Sequence, residues 1–503
     1  MILIIQINVE YIRVKIVKLM LILLMIVIKS VYSKNIEDTS SVIKSSFELE
    51  IGTGISSNNQ MPFWVRSLQY GTIPLNSDFG YINSKNLIQI SSKKSQRVWS
   101  SELEIFTKLQ KGVSLIVPVI NTSYKNRTIE IFAGRKKEVY GLYDTTMSAG
   151  SYIWSGNSIP IPKIQISTNG FKSIYKDIIS IQATLAHGWF GKESFAYNYY
   201  LHQKTFFVKI GRNNKSINFY SGISHFAQWG GYAPILIGLN RTTPDGALPK
   251  SFKDFLYIVT AKNMPQGGNL SQFDTENRLG NHIGSIDLAV NIQKKKDFWL
   301  IYVQHPVENA PGLWNNFPDG VYGIKWLNKR KSKKFELKQI TLEKTTLLNQ
   351  GIQYNDKYGY MINDYFNNSQ YMDGWSYRDN VIGTPLLTLR TDTKTKWFNN
   401  RGLYSNKDYQ QINGNYINSN NISAIIKYNH SIEIKLKATF SNYYKYNDNG
   451  LFINPINQFS GNIDLKKEFV KARASIQIIS SIDKGEWLND KIGLLIKFRK
   501  IIK

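Results

Sequence analysis

Several segments of the chain alternate apolar and polar side chains with the two-residue period of a β-strand. In residues 431–440, the apolar side chains from Ile432 to Phe440 share one face, and Glu, Lys and Thr side chains share the other. Residues 103–109 and 472–478 repeat this alternation, and residues 47–51 also have a strand-like sequence. Strands of a membrane barrel show this pattern over about 10 residues between turn sequences. The pattern therefore predicts an all-β chain.

A hairpin is predicted at residues 286–304. Apolar residues at 286, 288, 290 and 292 alternate with Asp, Ala, Asn and Gln, and a second strand-like run covers residues 298–304. Between them, Lys-Lys-Lys-Asp at 294–297 has the composition of a turn. Two alternating runs joined by a short polar turn are typical of antiparallel neighbours.

The polar face of these strands carries ionised residues such as Glu433 and Lys435. Because an unpaired buried charge costs several kcal/mol, such a face suits the polar interior of a barrel better than the dry core of a sandwich. Tyr443, Tyr444 and Tyr446 follow, and we expect them to form an aromatic girdle at a membrane interface. A soluble sheet with one wet face shows the same alternation, so that alternative stays open.

Residues 1–33 have the organisation of a secretory signal peptide. Arg13, Lys15 and Lys18 precede an apolar run at 19–28, and Val-Tyr-Ser at 31–33 resembles a cleavage site. The first dozen residues are unusual for such a peptide and suggest a start at Met20. After residue 33, no apolar segment approaches the roughly 18 residues that a spanning helix needs. We expect residues 34–503 to form one barrel domain.

The chain has no Cys and a formal net charge of +27. The absence of Cys excludes disulfides, thiolate zinc sites and enzymes with a Cys nucleophile. The charge suggests a polyanionic partner, which for a surface protein means acidic polysaccharide or lipid phosphates rather than nucleic acid. AT-biased coding, which favours Lys, Asn and Ile throughout, explains the charge equally well. The basic runs at 294–296 and 329–334 lie between predicted strands, and we interpret them as solvated turns.

Two stretches, at 146–164 and 201–231, combine aromatics with Gly, and the first also contains Pro, which predicts loops and strand ends. They contain two of seven ordered motifs, and through the seven motifs residues 47–401 resemble the capsule assembly protein Wzi family. The resemblance implies an outer-membrane β-barrel of 18 antiparallel strands, with loops folding over or into the lumen, that acts on capsular polysaccharide. The motifs are SNNQMPFWVRSLQYGTIP (57–74), GSYIWSGNSIPIPKI (150–164), SHFAQWGG (224–231), NHIGSIDLA (281–289), QHPVEN (304–309), NFPDGVYGI (316–324) and YMDGWSYRDNVIGTP (371–385).

Candidate polysaccharide-binding residues are aromatics and Arg outside the alternating runs. Aromatic faces suit the apolar side of a sugar ring, and Arg can hold carboxylates with two hydrogen bonds. Alternatively, these aromatics form girdles or pack turns and plugs inside the barrel. The clusters around Trp154 and Trp375 are the strongest candidates, because they combine aromatics with turn residues. The full set is Trp64, Arg66, Tyr152, Trp154, Trp229, Trp314, Trp375, Tyr377 and Arg378.

Motifs for metal or catalytic chemistry are not found in the sequence. Five of the six His residues lie between 187 and 305, spaced too widely for an HExxH-like pattern, so we predict no metal and no cofactor. No GxSxG elbow or P-loop occurs. Asp319, Asp364, Asp373 and Asp379 could supply the two carboxylates of glycoside cleavage, but loop aspartates usually serve turns. We therefore predict that the protein is not an enzyme.

The sequence favours an outer-membrane protein of a Gram-negative-type bacterium that is exposed at the cell surface. We expect it to bind and organise capsular or exopolysaccharide in a lectin-like manner. Its expected partners are this polysaccharide and outer-membrane lipid, including lipopolysaccharide, and we expect a monomer. Two alternatives stay open: a porin-like channel whose basic lumen passes anionic solutes, and an outer-membrane hydrolase. Whether the aromatic and glycine-rich segments seal the lumen distinguishes binding from transport.

Overall fold

The computed structural model describes residues 41–502 apart from 93–95, 194, 214, 239–241, 265–270, 272–273, 275–277, 310–311, 331–333, 352, 356–358, 362, 398–411 and 446–453. The signal peptide predicted at residues 1–33 lies outside the described residues. The strands are β1 (Ser41–Ser56), β2 (Phe79–Ser92), β3 (Val98–Leu109), β4 (Val113–Lys125), β5 (Ile129–Arg135), β6 (Lys163–Thr168), β7 (Lys172–Tyr175), β8 (Ile179–Lys192), β9 (Tyr197–Ile210), β10 (Ile217–Trp229), β11 (Asn281–Gln293), β12 (Asp297–Pro306), β13 (Gly320–Asn328), β14 (Phe335–Leu347), β15 (Gln353–Asn355), β16 (Gly359–Met361), β17 (Ile417–Tyr428), β18 (Ile432–Tyr443), β19 (Ile456–Phe469), β20 (Ala474–Gly485) and β21 (Lys491–Ile501).

Nineteen of these strands form one closed antiparallel sheet, and β15 and β16 form a separate hairpin. Strands β6 and β7 both pair with β8, so they are two parts of one wall strand and the barrel has 18. The last strand, β21, pairs with β1 and closes the barrel. Closure leaves no unpaired sheet edge. The predicted 18-stranded antiparallel barrel is confirmed.

Helices contribute little to the fold. They are α1 (Phe63–Arg66), α2 (Phe252–Thr260) and α3 (Gly312–Asn315), with short 3-10 turns at Pro234–Leu236, Arg390–Asp392 and Thr395–Trp397. In the described part of the chain, no helix is long and apolar enough to cross a membrane.

The outer face of the barrel carries an apolar belt. Ile301, Ile324, Leu342 and Ile422 are register partners across β12, β13, β14 and β17. Their exposed fractions are 43%, 45%, 48% and 50%, so they face outward from the wall. An outward apolar band is the surface that a barrel presents to lipid.

The inner face of the same strands is polar and tightly packed. Tyr302 and Glu343 lie on opposite sides of Gly323 in the register, and the Tyr302 hydroxyl donates to Oε2 of Glu343 at 2.5 Å. A Cβ on Gly323 would lie 2.0 Å from the Tyr302 ring. The ring can therefore lie over this position of β13 only because the residue is glycine. All three residues belong to the inward set that alternates with the apolar belt.

The local strand predictions agree with the structure except at two places. The predicted hairpin is β11 and β12, with its turn at 294–296, and β18 contains nearly all of residues 431–440. The strand expected from residue 472 begins at Ala474, because Arg473 closes a turn by donating its N–H to the Val470 carbonyl. Tyr443 does not lie in an outward girdle: it is 2% exposed and stacks on Trp487 inside the barrel at 4.4 Å.

The two ends of the barrel differ in the length of their connections. At one end, eight turns of three to six residues join neighbouring strands. The first residue of β1 and the last residue of β21 lie at the same end. We call it the short-turn end. The opposite, long-loop end carries the long connections 57–78, 136–162, 230–280, 307–319 and 348–416, and the shorter ones 110–112, 193–196, 444–455 and 486–490.

Candidate functional site

Three connections of the long-loop end fold back into the barrel and together form a plug. Segment A is residues 57–78, which include α1; segment B is residues 136–162; and segment C is residues 363–397. They pass between lumen-facing side chains of the wall and make one hydrophobic cluster with them. The fully buried members include Tyr152, Tyr365, Phe366, Trp375 and Trp487.

Segments B and C are joined along their backbones. The Thr384 N–H donates to the Tyr152 carbonyl at 3.1 Å, and the Ser155 N–H donates to the Ile382 carbonyl at 3.0 Å. The indole of Trp375 donates to the Ile153 carbonyl at 2.8 Å. Buried backbone groups need such partners, so the two segments satisfy each other in place of a sheet.

Segment A joins this pair through its own polar groups. The Leu68 N–H donates to Oδ1 of Asn157 at 3.0 Å, and the Tyr70 N–H donates to the Gly156 carbonyl at 2.9 Å. Arg66 forms an ion pair of 2.6 Å with Asp392 of segment C. All three segments are therefore in direct contact with one another.

Polar wall side chains hold the plug by accepting from its backbone. Asp287 accepts the Leu142 N–H at 2.7 Å, Glu343 accepts the Ala149 N–H at 2.8 Å, and Gln304 accepts the Tyr152 N–H at 2.9 Å. Further along the wall, Asp483 of β20 accepts the Phe63 N–H at 2.9 Å, and the Trp64 indole donates to Thr439 of β18 at 3.1 Å. The polar lumen face thus serves as a hydrogen-bonding surface for the plug.

A small cleft lies between segments A, B and C. This polar cleft, beside Arg66, Asn157, Asn380 and Asp392, has a volume of about 10 Å³. That volume is of the size that holds a single water molecule. It is far too small for a sugar ring.

The connection 307–319, which we call the aromatic loop, presents large side chains to solvent at the long-loop end. Trp314 is 82% exposed and Phe317 is 71% exposed. Burying such rings against the protein would contribute about 1.5–3 kcal/mol or more each, so their exposure is not explained by folding. Two exposed aromatic rings on one loop make it a candidate interaction site.

Contacts around Asp319 fix the base of the aromatic loop. Its carboxylate accepts the backbone N–H groups of Leu348, Asn349 and Gln350 at 2.9, 3.0 and 2.7 Å, and the Tyr365 hydroxyl at 3.0 Å. The Asn349 side chain in turn donates to the carbonyls of residues 315 and 317 at 2.9 and 2.7 Å. The loop backbone is therefore held while its rings remain free.

Glu308 connects the aromatic loop to the plug. One carboxyl oxygen accepts the Tyr152 hydroxyl at 3.0 Å and the Phe366 N–H at 3.2 Å. Burial of the carboxyl, with a smaller contribution from the charge of Asp364, raises the pKa of Glu308 to about 8, although both hydrogen bonds oppose the shift. A protonated carboxyl at neutral pH lets this junction exist without a buried charge.

Arg378 is the exposed cation of segment C. Its side chain is 54% exposed and lies 3.7 Å from the carboxylate of Glu193, which is 8% exposed. Burial raises the pKa of Glu193 to about 7, and the charges of Asp373 and Asp379 add to the shift while Arg378 opposes it. The guanidinium can therefore still meet an anionic group from solution.

The structure separates the nine candidate residues into three groups. Trp314 and Arg378 are exposed at the long-loop end. Trp314 is 82% exposed as a whole residue, and the Arg378 side chain is 54% exposed. Arg66 is tied to Asp392. The other six have exposed fractions of 5% or less. Five of them pack within the plug, namely Trp64, Tyr152, Trp154, Trp375 and Tyr377. Trp229 instead packs against Phe255 of α2, with ring centroids 5.3 Å apart.

Phe317 has an exposed ring near Trp314 in the chain, and the sequence analysis did not single it out. The signal was present in the Asn-Phe-Pro-Asp-Gly sequence at 316–320, whose turn residues place a ring in a loop. Contact of polysaccharide with any of the candidates stays a prediction.

Three of the four Asp residues considered for catalysis brace loops. Asp319 holds residues 348–350, Asp373 accepts the Phe195 N–H at 3.0 Å, and Asp364 accepts from Asn415 at 2.5 Å. Asp379 is exposed. Among the residues that the structure describes, no group of three or more His, Asp or Glu side chains is arranged to hold a metal ion.

No protein-family model matches the chain, and no curated protein matches it. Among solved structures, Wzi of Escherichia coli, a carbohydrate-binding outer-membrane β-barrel involved in group 1 capsule assembly, superposes with a TM-score of 0.55 at 11% identity, over 91% of this chain and 84% of that one. The Pseudomonas aeruginosa barrels OccK5 and OccD3 give TM-scores of 0.45 and 0.44 at 6% and 8% identity, over 92% of this chain and 98% and 93% of theirs. The likeness to Wzi shows that the chain has the fold of an outer-membrane β-barrel.

Proposed function

We propose that the chain is an outer-membrane protein that binds and organises capsular or exopolysaccharide at the cell surface, without catalysis. In this proposal the long-loop end faces outward and the short turns face the periplasm, as in outer-membrane barrels generally. The observation that carries the proposal is the exposed Trp314–Phe317 pair on a braced loop above a filled lumen.

Sugar chemistry suits this surface. The ring faces of Trp314 and Phe317 can cover the apolar side of a sugar, while the exposed amide of Asn315 lies in the same loop. Arg378 adds a cation for acidic sugars, because its guanidinium can donate two parallel hydrogen bonds to a carboxylate. The proposed contact set is therefore Trp314, Phe317 and Arg378.

A shallow surface of this kind suffices for a long polymer. Each site need hold its sugar only weakly, because many copies of the protein meet one chain and each bound site raises the effective concentration at the next. A monomer of the barrel is enough for this mode of binding, since the avidity comes from the polymer.

The fold supports the proposal from a separate direction. Wzi, which has the same fold at a TM-score of 0.55, binds carbohydrate and takes part in capsule assembly. The motifs quoted above add to this likeness, and we propose that the chain is a distant relative of that family. A channel would instead need an open lumen, and here Trp375, Tyr152 and Phe366 fill its centre with no exposed surface.

Affinity electrophoresis tests the proposal. The purified barrel is run in detergent through gels containing the surface polysaccharide of its native producer, beside an unrelated barrel of similar size. We expect selective retardation of this protein, reduced in high salt if the polymer is acidic. Equal mobility of the two barrels at every polysaccharide concentration would contradict the proposal.

A further inference from the structure

The topology gathers exposed cations at the short-turn end of the barrel. Each basic run looks like an isolated solvated turn in the sequence, but every second connection returns to the same end. Seven of the eight turns there carry exposed Lys or Arg, and the eighth carries exposed His430. The exposed turn cations are Arg97, Arg127, Lys176, Arg212, Lys215, Lys294, Lys295, Lys296, Lys329, Arg330, Lys334, Lys471 and Arg473. We call them the basic collar.

Acidic residues do not balance the basic collar. Among the described residues of these turns, Asp177 is the one exposed carboxylate. The long-loop end differs, since exposed Asp245, Asp379, Glu486 and Asp490 accompany its cations there. Lys484 of that end is paired with Asp490 at 2.8 Å. A coding bias toward Lys would act on both ends alike, so it does not account for the difference.

A belt of exposed aromatics lies beside the basic collar on the outer face. Trp99, Tyr175, Trp299, Phe335 and Tyr428 are 53%, 51%, 37%, 62% and 44% exposed. Each lies within three residues of the short-turn end of its strand. Aromatic girdles of barrels lie at the level of lipid headgroups. At about 3.3 Å per residue along a strand, the turn cations therefore reach the phosphates of that leaflet.

We propose that the basic collar binds the headgroups of anionic phospholipids in the leaflet at the short-turn end. The cations are distributed around the whole circumference, on seven turns, which matches a ring of surrounding lipids rather than one docked protein. Arg and Lys both bind phosphate, and basic residues at a membrane surface favour anionic lipid. The proposal goes beyond polysaccharide binding and depends only on insertion of the barrel in a bilayer.

Electron spin resonance of lipid next to the protein tests the proposal. The barrel is inserted in phosphatidylcholine bilayers, and the motionally restricted fraction is measured for spin-labelled phosphatidylglycerol and spin-labelled phosphatidylcholine. For the wild-type protein we expect phosphatidylglycerol to associate at least about threefold more strongly at low salt. The preference should decrease in about 0.5 M salt, because the screening length then falls to a few ångström.

A pair of matched variants locates the effect. The collar variant carries Lys294→Gln, Lys295→Gln, Lys296→Gln, Arg330→Gln and Lys334→Gln. The control carries five neutralised exposed cations of the long-loop end: Lys111→Gln, Lys192→Gln, Lys250→Gln, Lys253→Gln and Lys262→Gln.

The collar variant neutralises five of the thirteen collar cations, so we expect it to lose a measurable part of the preference, whereas the control should keep all of it. Equal association of the two lipids with the wild-type protein would overturn the proposal, whether or not either variant inserts. An unchanged preference in the collar variant, or an equal loss in both variants, would overturn it as well. Polysaccharide retention is measured separately, and its failure would leave the lipid result standing.

Discussion

The indole N–H of Trp375 donates a hydrogen bond of 2.8 Å to the backbone carbonyl of Ile153, and this bond joins two segments that are more than 200 residues apart in the chain. Trp375 has no exposed surface and also packs against Trp154, with ring centroids 6.3 Å apart. Trp375 is therefore a central contact of the plug, because its indole N–H is hydrogen-bonded and its large ring is buried.

Replacing Trp375 with Ala should therefore destabilise the folded barrel by about 3–5 kcal/mol, the usual cost of removing a large buried ring. Urea unfolding in detergent measures this change. Trp314→Ala is the control: it removes the same side chain where it is 82% exposed, and we expect a change within about 0.5 kcal/mol. Equal losses in the two variants would show that the plug does not depend on Trp375.

Asp319→Asn should loosen the aromatic loop. The amide group keeps the shape of the side chain but loses the charge and one of the two acceptor oxygens that hold residues 348–350. We expect a loss of about 1.5–3 kcal/mol and faster proteolysis at this loop. The exposed Asp379→Asn is the matched control and should behave as the wild-type protein does. Equal protease resistance of all three would contradict the bracing role.

The stability of the barrel should depend on pH through Glu308. Its pKa is raised from 4.5 to about 8 in the folded state. The folded state therefore keeps this proton while the unfolded chain loses it, so the contribution is complete below pH 4.5 and is lost as the pH rises to about 8. The free energy of unfolding of Glu308→Gln should decline less over that range than that of the wild-type protein. Parallel pH profiles would contradict the assigned shift.

Loss of the exposed rings should weaken retention by polysaccharide while the barrel stays folded. For Trp314→Ala combined with Phe317→Ala, about 1 kcal/mol per ring would give a decrease in affinity of more than tenfold. Affinity electrophoresis measures it, and heat-dependent gel mobility checks folding. Trp99→Ala, a ring 53% exposed at the short-turn end, is the control and should leave retention unchanged. Unaltered retention of the double variant would remove the aromatic loop from the binding surface.

The sequence predicts the barrel wall well because alternation is a local property. The β11–β12 hairpin and most of β18 follow from neighbouring residues alone. The plug does not follow in this way, because the roles of Trp154 and Trp375 depend on how far two long loops fold back and meet. In sequence, an aromatic beside Gly and Pro has the same appearance in a sugar site as in a packed plug, and only burial distinguishes them.

The basic collar shows a second limit of local patterns. In the sequence, residues 294–296 and 329–334 look like separate solvated turns, and they are the connections between β11 and β12 and between β13 and β14. Their joint position at one end follows only from the order of up and down strands. The order of the strands therefore determines whether charges that are scattered in the sequence lie apart or form one surface.

We propose that the plug closes the barrel, so that the protein binds at its long-loop end and does not transport solutes. Single-channel recording in planar bilayers tests it most directly, with an open porin recorded under the same conditions. We predict that the wild-type protein inserts and passes no steps of porin size, because segments A, B and C fill the lumen. Stable, reproducible steps comparable to those of the porin would contradict the claim and support an anion-passing channel instead.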